Sequence, residues 1–222
     1  MLTKEYVLGI KLEKNDRLEI EILDFDLNNI GFLSLIVEGD NKDNKVVESL
    51  TRWRNKFMRF FLTQFNATTE RTSYWLESVV IPSPSNLLFM ILDGERNLVG
   101  NFGVANITNE KCELDNLIRG EKGAPKLIYF SEIALLNWLF EHGVKKVNLH
   151  VFANNTPTIK LHKSVGFTEC NRITLYEESL DTGDINYTSE SASDEIVGRE
   201  YIEMVIDYAA FNKSYGSRNI ER

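Results

Sequence analysis

Two acidic residues lie two positions apart in a β-prone run at residues 112–118. They are Glu113 and Asp115, and because side chains at positions i and i+2 of a strand point to one face, both carboxylates are presented together. Either of them could accept a proton from a reacting group, directly or through water. The alternative is a strand edge at which both pair with Arg119. The run is thus the first candidate for acid–base chemistry.

A turn rich in glycine and basic residues follows this run and precedes an apolar helix. It reads Arg119-Gly120-Glu121-Lys122-Gly123-Ala124-Pro125-Lys126. Backbone N–H groups of such a turn and the N-terminus of the next helix attract phosphate, although Pro125 contributes no N–H. The order of strand, turn, helix and second strand over residues 113–167 predicts a binding site for a phosphorylated cofactor whose reactive end lies between two strands.

Size and composition restrict the class of protein. The 222 residues fit one domain, and a net charge of −8 argues against a nucleic-acid partner, because binding phosphates needs a concentration of Lys and Arg. No run approaches the roughly 20 apolar residues of a membrane span, and no export signal is seen at the start. We therefore expect a cytoplasmic protein without a membrane partner. Cys112 and Cys170 lack the spacing of metal ligands, and no metal is expected.

The pattern of apolar residues predicts the elements that position these groups. Apolar residues at steps of three and four predict helices at residues 46–65 and 127–141, and short helices are predicted at residues 69–77 and 156–164. Alternating or β-prone runs predict strands at residues 18–22, 87–92, 98–107, 112–118, 147–152, 172–177 and 201–206. The second and third of these strands flank a turn-forming cluster and predict a hairpin, and the last two predict an antiparallel pair. An acidic stretch at residues 178–195 is expected to be a solvated, mobile loop.

Over residues 86–206 this order resembles the GCN5-related N-acetyltransferase (GNAT) superfamily. The motif that carries the resemblance is Asn155-Thr156-Pro157-Thr158-Ile159-Lys160-Leu161-His162-Lys163-Ser164-Val165-Gly166-Phe167, which is similar to the family's Asn-x-x-Ala-Ile-x-Leu-Tyr-x-x-x-Gly-Phe. The resemblance implies an α/β (α+β) fold with a mixed, mostly antiparallel sheet, flanking helices and a splayed central pair of parallel strands. It implies one domain over 1–222, made of an acceptor-side part (1–85), an acyl-CoA-binding core (86–206) and a C-terminal tail (207–222).

The resemblance also implies acetyl-CoA as the acyl donor. The residues that would bind it are Leu117, Ile118, Arg119, Gly120, Gly123, Ala124, Lys126 and Asn155. A backbone N–H near Leu117 or Ile118 would polarise the thioester carbonyl. The family's pyrophosphate loop reads Gln/Arg-x-x-Gly-x-Gly/Ala, and the present turn departs from it. Its small positions hold either Lys122 and Ala124 or Ala124 and Lys126, depending on the register.

In such a fold the amine attacks the thioester directly, in a ternary complex, and Glu113 or Asp115 would accept its proton. His162 stands where many relatives carry a Tyr that protonates the departing thiolate. An imidazole, with an ordinary pKa of about 6.5, can donate to a thiolate whose conjugate acid has a pKa of about 8.5. The alternative is a helix-surface His162 that merely packs.

Residues 113–120, together with Trp53-Arg54-Asn55 and Trp75, resemble superfamily members that acetylate nucleotide-linked amino sugars during surface-polysaccharide synthesis. Trp53 and Trp75 could stack on a base or sugar, and Arg54 could meet a diphosphate; plain packing is the alternative for Trp53. Other acceptors that fit the sequence are a polyamine or a protein amine. A non-catalytic acyl-CoA-binding module is the alternative outside the enzymes. The expected partner is a small-molecule amine, and a homodimer is compatible with the sequence.

Overall fold

The computed structural model describes residues 1–12, 16–190 and 198–216. The helices are α1 (Lys4–Leu12), α2 (Asn44–Lys56), α3 (Thr69–Trp75), α4 (Leu127–Glu141), α5 (Thr156–Val165) and α6 (Tyr208–Tyr215). The strands are β1 (Glu19–Leu23), β2 (Asn29–Leu35), β3 (Thr63–Gln64), β4 (Leu87–Asp93), β5 (Leu98–Ala105), β6 (Lys111–Arg119), β7 (Lys146–Phe152), β8 (Thr168–Ser179), β9 (Ile185–Thr188) and β10 (Arg199–Asp207).

Within the described ranges the strands form one ten-stranded sheet in the order β1-β2-β4-β5-β6-β7-β10-β8-β9-β3. Neighbouring strands run antiparallel except for β6 and β7, which are parallel and joined through α4. This crossover is the strand–helix–strand unit predicted from the sequence. The α/β fold with a mixed, mostly antiparallel sheet and flanking helices is confirmed.

The parallel pair separates partway along its length. Pairing joins residues 111–114 of β6 to residues 146–149 of β7 and stops there, although β6 runs on to Arg119 and β7 to Phe152. On the other side of β6, Asn101 and Gly103 of β5 face Ile118 and Asp115, so β6 carries one extra residue there. Asn116 takes a left-handed conformation at this bulge, with φ of 49°. A bulge bends its strand, and the splayed pair is confirmed.

Helices cover both faces of the sheet, which is why β4 is apolar at almost every position. Its alternate residues belong to two cores: Phe89 and Ile91 pack with α4, and Leu88 and Met90 pack with the α2 side. The apolar residues of α4 predicted a buried helix at 127–141, and the observed bounds are the same. No helix within the described ranges has the length and apolar character needed to cross a bilayer.

Some predicted elements differ from the observed ones. The helix predicted at 46–65 ends at Lys56, because the chain turns at Phe57 through a short 3-10 segment, Met58–Phe60, before β3. The prediction of a loop over 178–195 is wrong at Ile185–Thr188, where β9 bonds to β8 and β3. Residues 191–195 of that stretch lie outside the described residues. The sequence did not predict α1, β2 or α6.

Candidate active site

A cleft of about 670 Å³ opens where β6 and β7 part. One end is lined by Leu114 and Leu149, which belong to the α4 core, and by His162 of α5. The other end is lined by Asp115 and His150, the next residues along the two strands. Since successive strand side chains point to opposite faces, this first cleft passes through the sheet and reaches both faces.

Glu113 is held by two hydrogen bonds beside the first cleft. His150 Nδ1 lies 2.7 Å from Glu113 Oε1, and Asn106 Nδ2 donates to Oε2 at 2.9 Å. Partial burial opposes ionisation of Glu113, but these two bonds outweigh it and lower the pKa of the carboxyl. In return, the hydrogen bond that His150 donates to Glu113 raises the pKa of His150. The two side chains thus form a hydrogen-bonded carboxylate–histidine pair beside the Asp115 end of the first cleft.

Asp115 points into the same end of the cleft. Its two oxygens accept hydrogen bonds from the backbone N–H and the side-chain amide of Asn116, each at 2.7 Å. The carboxylate touches solvent in the open cleft, yet the surrounding walls remove much of its water, and this crowding, with the Glu113 charge, raises the pKa of Asp115. Neither carboxylate pairs with Arg119 in the described part of the chain.

His162 is buried rather than on the helix surface, with 4 % of its area exposed. Its Nδ1 lies 2.6 Å from Oε1 of Glu132 on α4, a residue that is completely buried. Phe167 packs its ring edge-on against the imidazole, with 5.6 Å between the centroids. The second oxygen of Glu132 has no hydrogen-bond partner among the described residues. His162 reaches the first cleft and brings a second carboxylate–histidine pair to it.

The first part of the basic turn is tied to the protein. The amides of Gly120 and Glu121 both donate to Val99 O at 2.9 Å, and the Glu121 carboxylate accepts a bond from Trp53 Nε1 at 2.9 Å. A Cβ at Gly120 would lie 2.0 Å from the Trp53 ring, so only glycine allows this approach. This part of the turn is therefore fixed by packing.

The second part of the turn is open. In the described chain no acceptor meets the amides of Lys122, Gly123, Ala124 or Lys126. Lys126 precedes α4 in a left-handed conformation, and no side chain caps the helix. Uncapped amides at a helix N-terminus suit an anionic group, and Arg119 and Asn155 line the adjoining first cleft. These features fit a diphosphate at the turn and a narrow acyl-bearing arm in the cleft.

A second cleft, of about 620 Å³, lies on the α2–α3 face of the sheet. Its walls carry two arginines and four aromatic side chains, which are Arg54, Arg71, Phe61, Phe65, Tyr74 and Trp75. Arg54 also lines the first cleft, so the two clefts share a wall. Asn101 and Asn116 also line the second cleft: Asn101 Nδ2 donates to Asn116 O, while Asn101 Oδ1 is buried without a partner among the described residues.

The guanidinium of Arg54 is the best-defined group in the second cleft. It stacks 3.5 Å from the centre of the Phe61 ring, and Nη2 donates to Thr63 O at 2.7 Å. Its Nη1 is buried and, among the described residues, has no partner. Burial lowers the pKa of Arg54 to about 10, and Asp115 partly offsets that effect. The side chain is a cation that retains an unused donor.

The structure brings some of the sequence-predicted residues together and not others. Arg54 and Trp75 line the second cleft, whereas Trp53 is fully buried and Asn55 bonds to the backbone of Ala67. Sequence reasoning missed Glu132, His150, Arg71 and Phe65. Neither Phe65 nor Arg71 had a periodic signal. Phe65 lies in the irregular segment between α2 and α3, and Arg71 lies on the exposed side of α3.

Comparisons with known proteins identify the family and the fold. The model of the acetyltransferase (GNAT) domain family matches residues 41–176, more than half of the chain. A GCN5-related N-acetyltransferase from Brucella melitensis superposes with a TM-score of 0.65 at 13% identity, covering 92% of this chain and 86% of that one. A spermidine N-acetyltransferase from Vibrio cholerae, in complex with CoA and spermine, gives 0.61 at 16% identity, covering 81% and 96%.

FdhC, described as a nucleotide-linked sugar GNAT, gives a TM-score of 0.58 at 12% identity, covering 85% of this chain and 93% of that one. Among curated proteins, none matches this sequence. The structural likenesses are at low identity and establish the fold, while the domain match establishes the family. The chain belongs to the GNAT family and is an acetyl-CoA-dependent N-acetyltransferase.

Proposed function

We propose that this enzyme transfers acetyl from acetyl-CoA to the primary amine of a nucleotide-linked amino sugar, by direct attack in a ternary complex. The observation that carries the proposal is the second cleft, which combines cations and aromatic rings and adjoins the first cleft at Arg54. A nucleotide-linked sugar has matching parts: a base that stacks, a diphosphate that binds guanidinium, and a sugar amine that extends beyond them.

The charge of the second cleft favours this acceptor over a polyamine. Arg54 and Arg71 face the space, and a buried, incompletely paired guanidinium repels a polycation. Arg71 Nη2 lies 3.7 Å from Asp184 Oδ2. A surface ion pair of this length contributes little to stability, so the Arg71 cation is available to a ligand. The FdhC likeness supports the sugar class, and the spermidine N-acetyltransferase likeness keeps polyamines in the test.

The two ends of the first cleft carry different steps. The acceptor-facing end, lined by Asp115 and His150, takes up a proton, and the end lined by His162 supplies one. Asp115 accepts the proton of the attacking amine, with the Glu113–His150 pair beside it as the alternative acceptor. The bulge at Asn116 presents a backbone N–H near Leu117 to the thioester oxygen. At the other end, His162 gives a proton to the leaving thiolate as the C–S bond breaks and the C–N bond forms. One proton leaves the amine and one reaches the thiol.

A panel of amines tests the proposal. Full-length protein and acetyl-CoA are incubated with a nucleoside-diphosphate amino sugar, the free amino sugar, spermidine and a lysine peptide, and products are identified by mass spectrometry. We expect the nucleotide-linked sugar to have a kcat/KM at least tenfold above that of the free sugar. A higher kcat/KM for spermidine or for the peptide would reject the nucleotide-linked sugar and identify a polyamine or a protein amine as the acceptor. Tight acetyl-CoA binding without product from any amine would favour a non-catalytic module.

A further inference from the structure

We propose that Glu132 is a positioning residue that holds His162 at Nδ1 and aims its Nε2 at the first cleft, so that the two side chains act as one proton-delivering pair. The inference rests on acetyl transfer as the reaction, but it does not depend on which amine accepts the acetyl group. It adds a residue of α4 to the site, thirty positions away in sequence from its partner.

The burial of Glu132 is the first observation. The residue has no exposed area and lies among the apolar side chains of α4, whose other acidic residue, Glu141, is exposed. A carboxylate in such a place is costly unless it is paired. The hydrogen bond from His162 is its one bond in the described chain, and Oε2 has none. A group solely for packing would be served better by Leu or Met.

The geometry of the imidazole is the second observation. Nδ1 is engaged by Glu132, so Nε2 is the ring nitrogen left for the cleft. Phe167 packs against the ring and limits its rotation. A carboxylate at Nδ1 compensates the positive charge that the ring carries while its Nε2 holds a proton to transfer, a charge that would otherwise be isolated in a buried position. The pair therefore holds a transferable proton on the side where the thiolate departs.

The step balances without another reagent. As the C–S bond breaks, the sulfur takes the electron pair, and His162 passes its Nε2 proton to that sulfur. The imidazole becomes neutral and keeps its Nδ1–H bond to Glu132. The proton lost by the amine goes to the acceptor-facing end of the cleft, and solvent returns a proton to His162 after the thiol leaves.

A double-mutant cycle with Tyr tests the pair, because a Tyr hydroxyl carries its proton without a counter-charge. The variants are Glu132→Gln, His162→Tyr and the double variant, with Glu141→Gln as the matched control on the same helix. Thiol release from acetyl-CoA is measured with the amine of the panel that the enzyme acetylates. It is also measured without any amine, where water hydrolyses the thioester, as a reaction independent of the acceptor. Coenzyme A affinity is measured by calorimetry, and folding by circular dichroism.

We expect Glu132→Gln to lower kcat at least tenfold with coenzyme A affinity within twofold, and Glu141→Gln to change neither. In the His162→Tyr background, Glu132→Gln should change kcat less than threefold. The same loss in both backgrounds would assign Glu132 to packing, and an unchanged kcat in Glu132→Gln would overturn the proposal. If Glu132→Gln fails to fold, Glu132→Met replaces it in the same cycle. If none of the amines is acetylated but the slow hydrolysis of acetyl-CoA persists, the proposed acceptor is rejected. The double-mutant cycle can then still be measured on the hydrolysis reaction.

Discussion

Two carboxylate–histidine pairs flank the opening between β6 and β7, and they differ in their contact with water. Glu113 and His150 have 23% and 27% of their side chains exposed, whereas Glu132 and His162 have 0% and 5%. The hydrogen-bond lengths are nearly equal, 2.7 and 2.6 Å. A pair in contact with water can pass protons to solvent during turnover, while a buried pair holds one proton in a fixed place. The same chemical unit thus suits opposite tasks at the two ends.

The largest expected effect is at the buried pair. His162→Asn keeps an amide near the position of Nδ1 for Glu132 but cannot donate a proton to sulfur, so we expect kcat to fall by about 10² to 10³. Coenzyme A affinity should stay within twofold, as measured by calorimetry. An unaffected rate would reject the acid role of His162. His162→Phe is less useful, because it leaves the Glu132 carboxylate buried without its partner.

The acceptor-facing end should respond through pH. Asp115→Asn should lower kcat by about 10² and remove the rising acid limb of the pH–rate profile, because the group that must lose its proton is gone. Glu113→Gln should keep the limb and move it to lower pH, since the Glu113 charge raises the pKa of Asp115 and its removal lowers that pKa. The opposite result, with the limb lost only in Glu113→Gln, would make Glu113 or its histidine the base.

A smaller and more selective effect is expected at the second cleft. Arg54→Gln should raise the KM of a nucleoside-diphosphate amino sugar about tenfold, because a charge-assisted contact with phosphate is lost. The KM of the free amino sugar should change less than twofold. Lys45→Gln, an exposed change in the first turn of α2, is the matched control. Equal changes for both sugars would show that Arg54 acts on the fold and not on the carrier.

The smallest effect on activity is expected at the turn. Gly120→Ala places a methyl group against Trp53, which should destabilise the protein by about 1–3 kcal/mol. The KM of acetyl-CoA should rise by a few-fold because the open amides that follow are displaced, while the acceptor KM stays constant. Gly9→Ala, which meets nothing within 4 Å on α1, is the control and should be neutral or slightly stabilising in urea denaturation.

The sequence predicted elements well wherever a local pattern was enough. The apolar residues of α4 and the hairpin of β4 and β5 are examples, since periodicity and turn residues determine both. The end of α2 was not predictable from periodicity, because apolar residues continue at Phe57, Phe60 and Phe61 although the chain has turned to place Phe61 over Arg54. In that region tertiary contacts override the local pattern.

The site was predictable in its polar strand residues and not in its long-range pairs. Asp115 and His162 line the first cleft, and Glu113 lies beside it through its hydrogen bond with His150. Glu132 was missed because a single acidic residue in an apolar helix gives no sign of a partner on another helix. His150 was missed because it occupies an ordinary polar position of β7, and only its side-chain hydrogen bond with Glu113 of β6 links it to the site.

The opening through the sheet also affects the kinetics of turnover. Because the donor is expected to enter beside α4 and α5 and the acceptor beside α2 and α3, neither molecule obstructs the route of the other. Loading and release can then occur in either order, so double-reciprocal rate plots should intersect, and a dead-end analogue of one reactant should leave binding of the other nearly unchanged. A molecule that spans both entrances would combine two modest affinities into one strong inhibitor.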